Sequence, residues 1–180
     1  MLIGTSAWSD LGPFYPAGVK PPGQLAYYSA IFPIVEVNTT YYRIPTESMV
    51  NGWLARTPED FVFDVKPLRE LTGTPEVPGG EAPEPDADLA ERFYRSLLPL
   101  ADAGRLGALT FQFPPSWRNS EEHRGYLRLL PALFPDFPIS VEFRRRDWLD
   151  ADHAADTFDL LREIGLSFTM ADEPQVGTGT

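Results

Sequence analysis

Residues 139–144 read Ile139-Ser140-Val141-Glu142-Phe143-Arg144, an unbroken alternation of apolar and polar side chains. In an extended strand successive side chains point to opposite faces. Ile139, Val141 and Phe143 therefore share one face, and Ser140, Glu142 and Arg144 the other. The same two-faced pattern recurs along the chain. Val35 and Val37 oppose Glu36 and Asn38; Phe61, Phe63 and Val65 oppose Asp64 and Lys66; Leu109 and Phe111 oppose Thr110 and Gln112. A flat parallel sheet covered by helices on both sides would be apolar on both faces. An apolar face backed by one that turns polar toward each strand's C-terminal end is the pattern of a barrel, with helices outside and polar tips gathered at the mouth. The sequence thus predicts an α/β fold of the TIM-type (β/α) barrel kind.

Working outward, strands are expected over 2–6, 34–38, 61–66, 108–112, 139–144 and 166–171, with helices over 24–32, 46–55, 88–103, 121–134 and 152–164. Thr46, after Pro45, and Ser120, before Glu121 and Glu122, are expected to cap helix starts. Gly104 and Gly165 sit where helices should stop. Leu89, Phe93, Leu97 and Leu100 form an apolar stripe that Pro99 should kink, and Trp53 and Phe93 are expected core residues. The alternation implies one domain over 1–176. A Pro/Gly/Glu-rich stretch over 72–87 is expected to be a mobile surface loop, and 177–180 a disordered tail. A full barrel takes about 250 residues and at least ~200. A chain of 180 residues is therefore expected to form an incomplete barrel of about six of the eight βα units. Such a barrel has open sheet edges at 2–6 and 166–171, which invite self-association.

Composition narrows the function. The chain carries 15 Lys+Arg against 26 Asp+Glu, a formal charge of −11, and no Cys. A 43% hydrophobic content excludes whole-chain disorder. The lack of Cys excludes disulfide scaffolds and thiolate zinc sites. The acidity argues against a nucleic-acid partner. No apolar run approaches the roughly 20 residues of a membrane span, and the N-terminus does not read as a signal peptide. A cytoplasmic protein with no membrane association is expected.

Several motifs resemble one family. They are Ile3-Gly4-Thr5-Ser6-Ala7-Trp8-Ser9, Phe14-Tyr15-Pro16, Val35-Glu36-Val37-Asn38-Thr39-Thr40-Tyr41-Tyr42-Arg43-Ile44-Pro45 and Phe63-Asp64-Val65-Lys66. Leu109-Thr110-Phe111-Gln112-Phe113-Pro114-Pro115, Val141-Glu142-Phe143-Arg144 with Trp148, and Ala171-Asp172 continue the series. In order and spacing the chain looks like the YecE-like family, the domain of unknown function 72. The resemblance implies a TIM-type barrel of uncharacterised activity. The chain departs from the family pattern at Ala7, where a Gly is usual, and at Asp10, where an aromatic is usual. It departs again at Lys66-Pro67-Leu68-Arg69-Glu70-Leu71-Thr72-Gly73, which lacks a Thr-His, and at Arg145-Arg146-Asp147 before Trp148. The family's closing section, with two more strands, has no counterpart, in keeping with an incomplete barrel.

The candidate site is the C-terminal mouth of the strands, where barrel active sites are built. Glu36, Glu142 and Lys66 are the candidate catalytic residues; Ser6, Trp8, Asn38, Tyr42, Gln112, Arg144, Trp148 and Asp172 are the candidate ligand-binding residues. Facing carboxylates can exchange protons, as Glu36 and Glu142 would in glycoside hydrolysis, while Lys66 or Arg144 can hold an anionic group. The competing reading is a neutralising ion-pair network. Trp8, Tyr41, Tyr42 and Trp148 can stack on a sugar or a base, or simply cover the barrel mouth. The expected partner is a small anionic or sugar-like molecule, with no cofactor named and no metal ligand assigned. Two alternatives stay open. One is a metal-assisted phosphodiesterase or nuclease using Glu36, Glu142 and Asp172 as oxygen ligands. The other is a non-catalytic binding domain or truncated remnant. His123 and His153, at helix starts, are expected to be solvated surface residues.

Overall fold

The computed structural model describes residues 1–73, 82, 84 and 86–172. Of the loop expected over 72–87, only Thr72, Gly73, Ala82, Glu84, Asp86 and Ala87 are described, and the tail over 177–180 lies outside the described residues. Strands and helices alternate as β1 (Gly4–Ser6), α1 (Pro21–Ser29), β2 (Ile34–Val37), α2 (Glu47–Leu54), β3 (Val62–Val65), α3 (Ala87–Asp102), β4 (Leu106–Phe113), α4 (Glu121–Leu133), β5 (Ile139–Phe143), α5 (Ala154–Glu163) and β6 (Ser167–Phe168). The strands form one parallel sheet in the order β1-β2-β3-β4-β5-β6. The fold is α/β, and the arrangement is that of a TIM-type barrel whose sheet, among the described residues, is not closed. Among the described residues no helix is long and apolar enough to cross a membrane.

Local chemistry sets the helix ends. Thr46 Oγ1 accepts from the Met49 N–H at 3.2 Å, Ser120 Oγ from the His123 N–H, and an Asp86 carboxylate oxygen from the Leu89 N–H at 2.8 Å. Gly104 (φ 66°) and Gly165 (φ 74°) take the left-handed conformation that ends α3 and α5. α1 begins at Pro21, three residues before its expected start. Prolines in a first turn lose no hydrogen bond there and arrive with φ preset. α3 runs on through Pro99 to Asp102.

The apolar strand face meets the helices. Val35, Val37, Phe63, Val65, Leu109, Phe111, Phe113 and Val141 are fully buried in one core with Leu25, Tyr28, Val50, Trp53, Phe93, Leu97 and Leu130 from the helices. The Tyr28 hydroxyl reaches from α1 to the first two strands. It accepts from the Thr5 N–H at 2.7 Å and donates to the Ile34 carbonyl at 2.9 Å. At Gly4 a side chain is excluded outright, since a Cβ would lie 2.0 Å from the Ile34 carbonyl oxygen.

One expectation is corrected here. His153 is exposed and pairs with Asp150 at 2.6 Å, but His123 is only 2% exposed. The first turn of α4 folds under Trp117, whose ring lies 4.2 Å from that of His123, and Ser120 Oγ lies 2.7 Å from its Nδ1.

Candidate functional site

Four strands place a polar side chain on the inner face at their penultimate residue: Glu36 in β2, Asp64 in β3, Gln112 in β4 and Glu142 in β5. Two strands add a second polar residue two positions on, Lys66 after β3 and Arg144 after β5, and Asn38 stands likewise after β2. Period-two alternation puts each of these pairs on one face.

The side chains form two hydrogen-bonded groups. On the β1–β3 side, Ser6 Oγ donates to Glu36 Oε1 at 3.0 Å and accepts from Asn38 Nδ2, while Lys66 Nζ lies 3.5 Å from the same Glu36 oxygen. On the β4–β5 side, Arg144 Nε lies 2.5 Å from Glu142 Oε1, which also accepts from Gln112 Nε2 at 2.9 Å. Between the groups a cavity of about 400 Å³ is lined by Ala7, Ser9, Asp10, Asn38, Thr39, Tyr41, Tyr42, Lys66 and Gln112. Tyr42 is 73% exposed at its rim, edge-on to Tyr41 at 5.2 Å. Ala7 has φ 63°, a left-handed conformation that a residue with a Cβ adopts at a cost, and its N–H donates to the Glu36 carbonyl at 2.9 Å.

A second cavity, about 290 Å³, lies nearer the strands' N-terminal ends and is lined by Gly4, Thr5, Ser6, Ile34, Glu36 and Asp64 among others. Burial raises the Asp64 carboxyl above the ordinary aspartate value. The neighbouring Glu36 adds to the rise, and a hydrogen bond from the Ala108 N–H opposes it.

The family model described as "Protein of unknown function DUF72" matches residues 2–180. The chain belongs to the DUF72 family. It is 32% identical over 181 residues to the UPF0759 protein YunF of Bacillus subtilis (strain 168), covering 100% of this chain and 63% of that relative. It also resembles the crystal structure of a DUF72 protein from Thermotoga maritima MSB8, with 33% identity and a TM-score of 0.78 over 97% of this chain and 66% of that one. A DUF72 structure from Enterococcus faecalis V583 gives a TM-score of 0.86 at 25% identity, over 98% of this chain and 62% of that one. This chain thus spans less than two thirds of the length of these relatives. None of their descriptions names an activity.

Within this DUF72 chain, Asn38, Tyr42, Lys66 and Gln112 come together around the mouth cavity, and Ser6 and Glu36 join them through hydrogen bonds and the ion pair. Glu142 and Arg144 neighbour that group but are engaged with each other. The expected ligand contact at Trp148 is corrected, while Trp8 is half-buried. Trp148 is fully buried, stacked on Phe143 at 4.3 Å and 4°, with its Nε1–H donated to the Trp117 carbonyl at 2.9 Å. Trp8 leans on Trp53 at 6.1 Å and packs against the core. Both follow strand ends, but short turns swing them toward the apolar face. Asp172 is exposed beyond β6 and is not among the residues lining the mouth. Glu36, Glu142 and Asp172 are not brought together as a set of metal ligands. Among the described residues no three His, Cys, Asp or Glu side chains are. The residue missed by sequence reading is Asp64. The alternation placed it on the polar face, and its in-register neighbour Glu36 is what makes it distinctive.

Proposed function

We propose that the mouth of this DUF72 chain binds a small anionic or sugar-like ligand, with acid/base chemistry centred on Glu36. The observation that carries this reading is the convergence of Lys66, Asn38 and Gln112 on one cavity of about 400 Å³ with Tyr42 exposed at its rim. Lys66 is loosely held by Glu36, so its ammonium can turn to an incoming anion. Asn38 and Gln112 supply amide donors and acceptors, and the Tyr42 ring offers a face to a sugar ring. Glu36, released from Lys66 as the anion enters, then stands beside the ligand as a proton acceptor.

The test is an NMR titration with two probes, inorganic phosphate and a neutral monosaccharide, observing the Lys66 side chain and the Tyr42 ring. Saturable shifts at either group, lost in Lys66→Met for phosphate or Tyr42→Ala for the sugar, support the reading. No saturable shift with either probe overturns it in favour of a non-catalytic domain. The same reading places the protein in the cytoplasm, checked by cell fractionation. It also has the open edges of β1 and β6 drive self-association, checked by light scattering.

A further inference from the structure

We propose that Glu36 and Asp64 form a carboxyl pair in which Asp64 supplies an acid to the cavity of about 290 Å³ that both line. Its role toward a ligand rests on the reading of Glu36 given above, whereas the pair itself rests on backbone register. Glu36 and Asp64 are directly paired residues of β2 and β3, both on the inner face. Like charges at paired positions on adjacent strands repel, and two carboxyls in such a place ionise together only at a cost.

Their surroundings divide the roles. Glu36 accepts from Ser6 at 3.0 Å and lies 3.5 Å from the Lys66 ammonium. Asp64 has the Ala108 N–H and, among the described residues, no side-chain donor. Of the elements around Asp64, β2 contributes the charge of Glu36, and β3 carries Lys66 two residues on. β1 brings the uncharged Ser6, and β4 brings Gly107 and the Ala108 N–H. Burial and Glu36 both raise the Asp64 carboxyl.

The position of Asp64 is also built into the next strand. The β3–β4 register shifts between the Phe63–Leu106 and Val65–Leu109 pairs, and Gly107 falls within that step. A Cβ on Gly107 would lie 2.3 Å from Asp64 Oδ1 and 2.6 Å from Val62 Cγ1. β4 omits a side chain where the Asp64 carboxyl lies. In the proton-transfer step the Asp64 O–H bond breaks and its electron pair stays on the carboxylate. The proton passes to a ligand oxygen, and a solvent hydronium ion returns one proton to Asp64 and is left as water, so no other reagent is needed.

The experiment is carbon-13 NMR of the labelled Asp and Glu carboxyl carbons of the free chain, titrated through the acidic range, with Asp64→Asn to assign the Asp64 signal. The expected result is an Asp64 midpoint above the ordinary aspartate value that moves down in Glu36→Gln. Gly107→Ala, by displacing the carboxyl, should also change the Asp64 midpoint. Backbone amide spectra establish that each variant is folded; should Gly107→Ala fail that check, Glu36→Gln and the wild type decide. A midpoint at or below the ordinary value, or one unmoved by Glu36→Gln, overturns the pair. No ligand is present, so a failed probe titration at Lys66 leaves the pair standing. Conversely, phosphate binding at Lys66 with an ordinary Asp64 midpoint overturns the pair and leaves the mouth reading intact.

Discussion

Glu36 and Glu142 occupy matching places, each penultimate in its strand and each on the inner face, but their surroundings differ. Glu142 is 7% exposed and closed in by Arg144 at 2.5 Å and Gln112 at 2.9 Å. The Glu36 side chain keeps a quarter of its surface, meets Lys66 only at 3.5 Å and has a second carboxyl, Asp64, in register beside it. A carboxylate held by a close guanidinium and an amide is committed to structure. One with a loose partner and a like-charged neighbour is available for a ligand and a proton. On the function proposed above, the β4–β5 half of the mouth is a wall and the β1–β3 half the reactive side.

The sharpest way to break this comparison is to remove the cation from each side. Arg144→Ala strands a buried carboxylate and should cost about 3 kcal/mol in urea denaturation, whereas Lys66→Ala, removing a more open pair, should cost under about 1 kcal/mol. Equal losses would dissolve the distinction. Gly107→Ala, which crowds Asp64, should cost about 1–3 kcal/mol in the same assay. Ala7→Gly relieves a left-handed alanine on the reactive side and should stabilise by about 1 kcal/mol, seen as a higher urea midpoint.

The smallest effect is in pH. The folded-state value of Asp64 is raised, so the folded protein holds more proton there than the unfolded chain does in the window between the two values. Its contribution to stability is full below the ordinary aspartate value and is lost as pH rises through the raised one. Asp64→Asn should remove that loss from the stability-versus-pH curve, and Glu36→Gln should narrow its window.

Much of the frame was legible because it rests on local rules. Alternation at period two sorted Val35 from Glu36 and Val141 from Glu142, and the caps at Thr46 and Ser120 stood where short polar side chains precede helices. What escaped depends on residues far apart in the chain. Asp64 gains its meaning from the register with Glu36 and from a step in the β3–β4 pairing that brings Gly107 against it. Trp148 and His123 sit in polar stretches, and only the turns around Arg146–Trp148 and the start of α4 send them inward onto Phe143 and Trp117. The outer strands came out shorter than their apolar runs, since pairing on one side alone supports few ladder bonds. β1 begins at Gly4 and β6 holds only Ser167 and Phe168.

The order of strands in the sheet is the order of strands in the chain, and this bears on how the protein is made as well as on what it holds. Each strand pairs only with strands next to it in the chain, so each pairing closes a single βα unit. Growth can nucleate at the long β4–β5 ladder and proceed outward one βα unit at a time, as in solenoids where each repeat touches only the next. β1 is an edge strand, and the Tyr28 hydroxyl of α1 takes its Thr5 N–H. Amide exchange should accordingly be slowest in β4 and β5 and fastest in β1 and β6, so that the reactive side of the mouth is assembled on a scaffold that is already rigid.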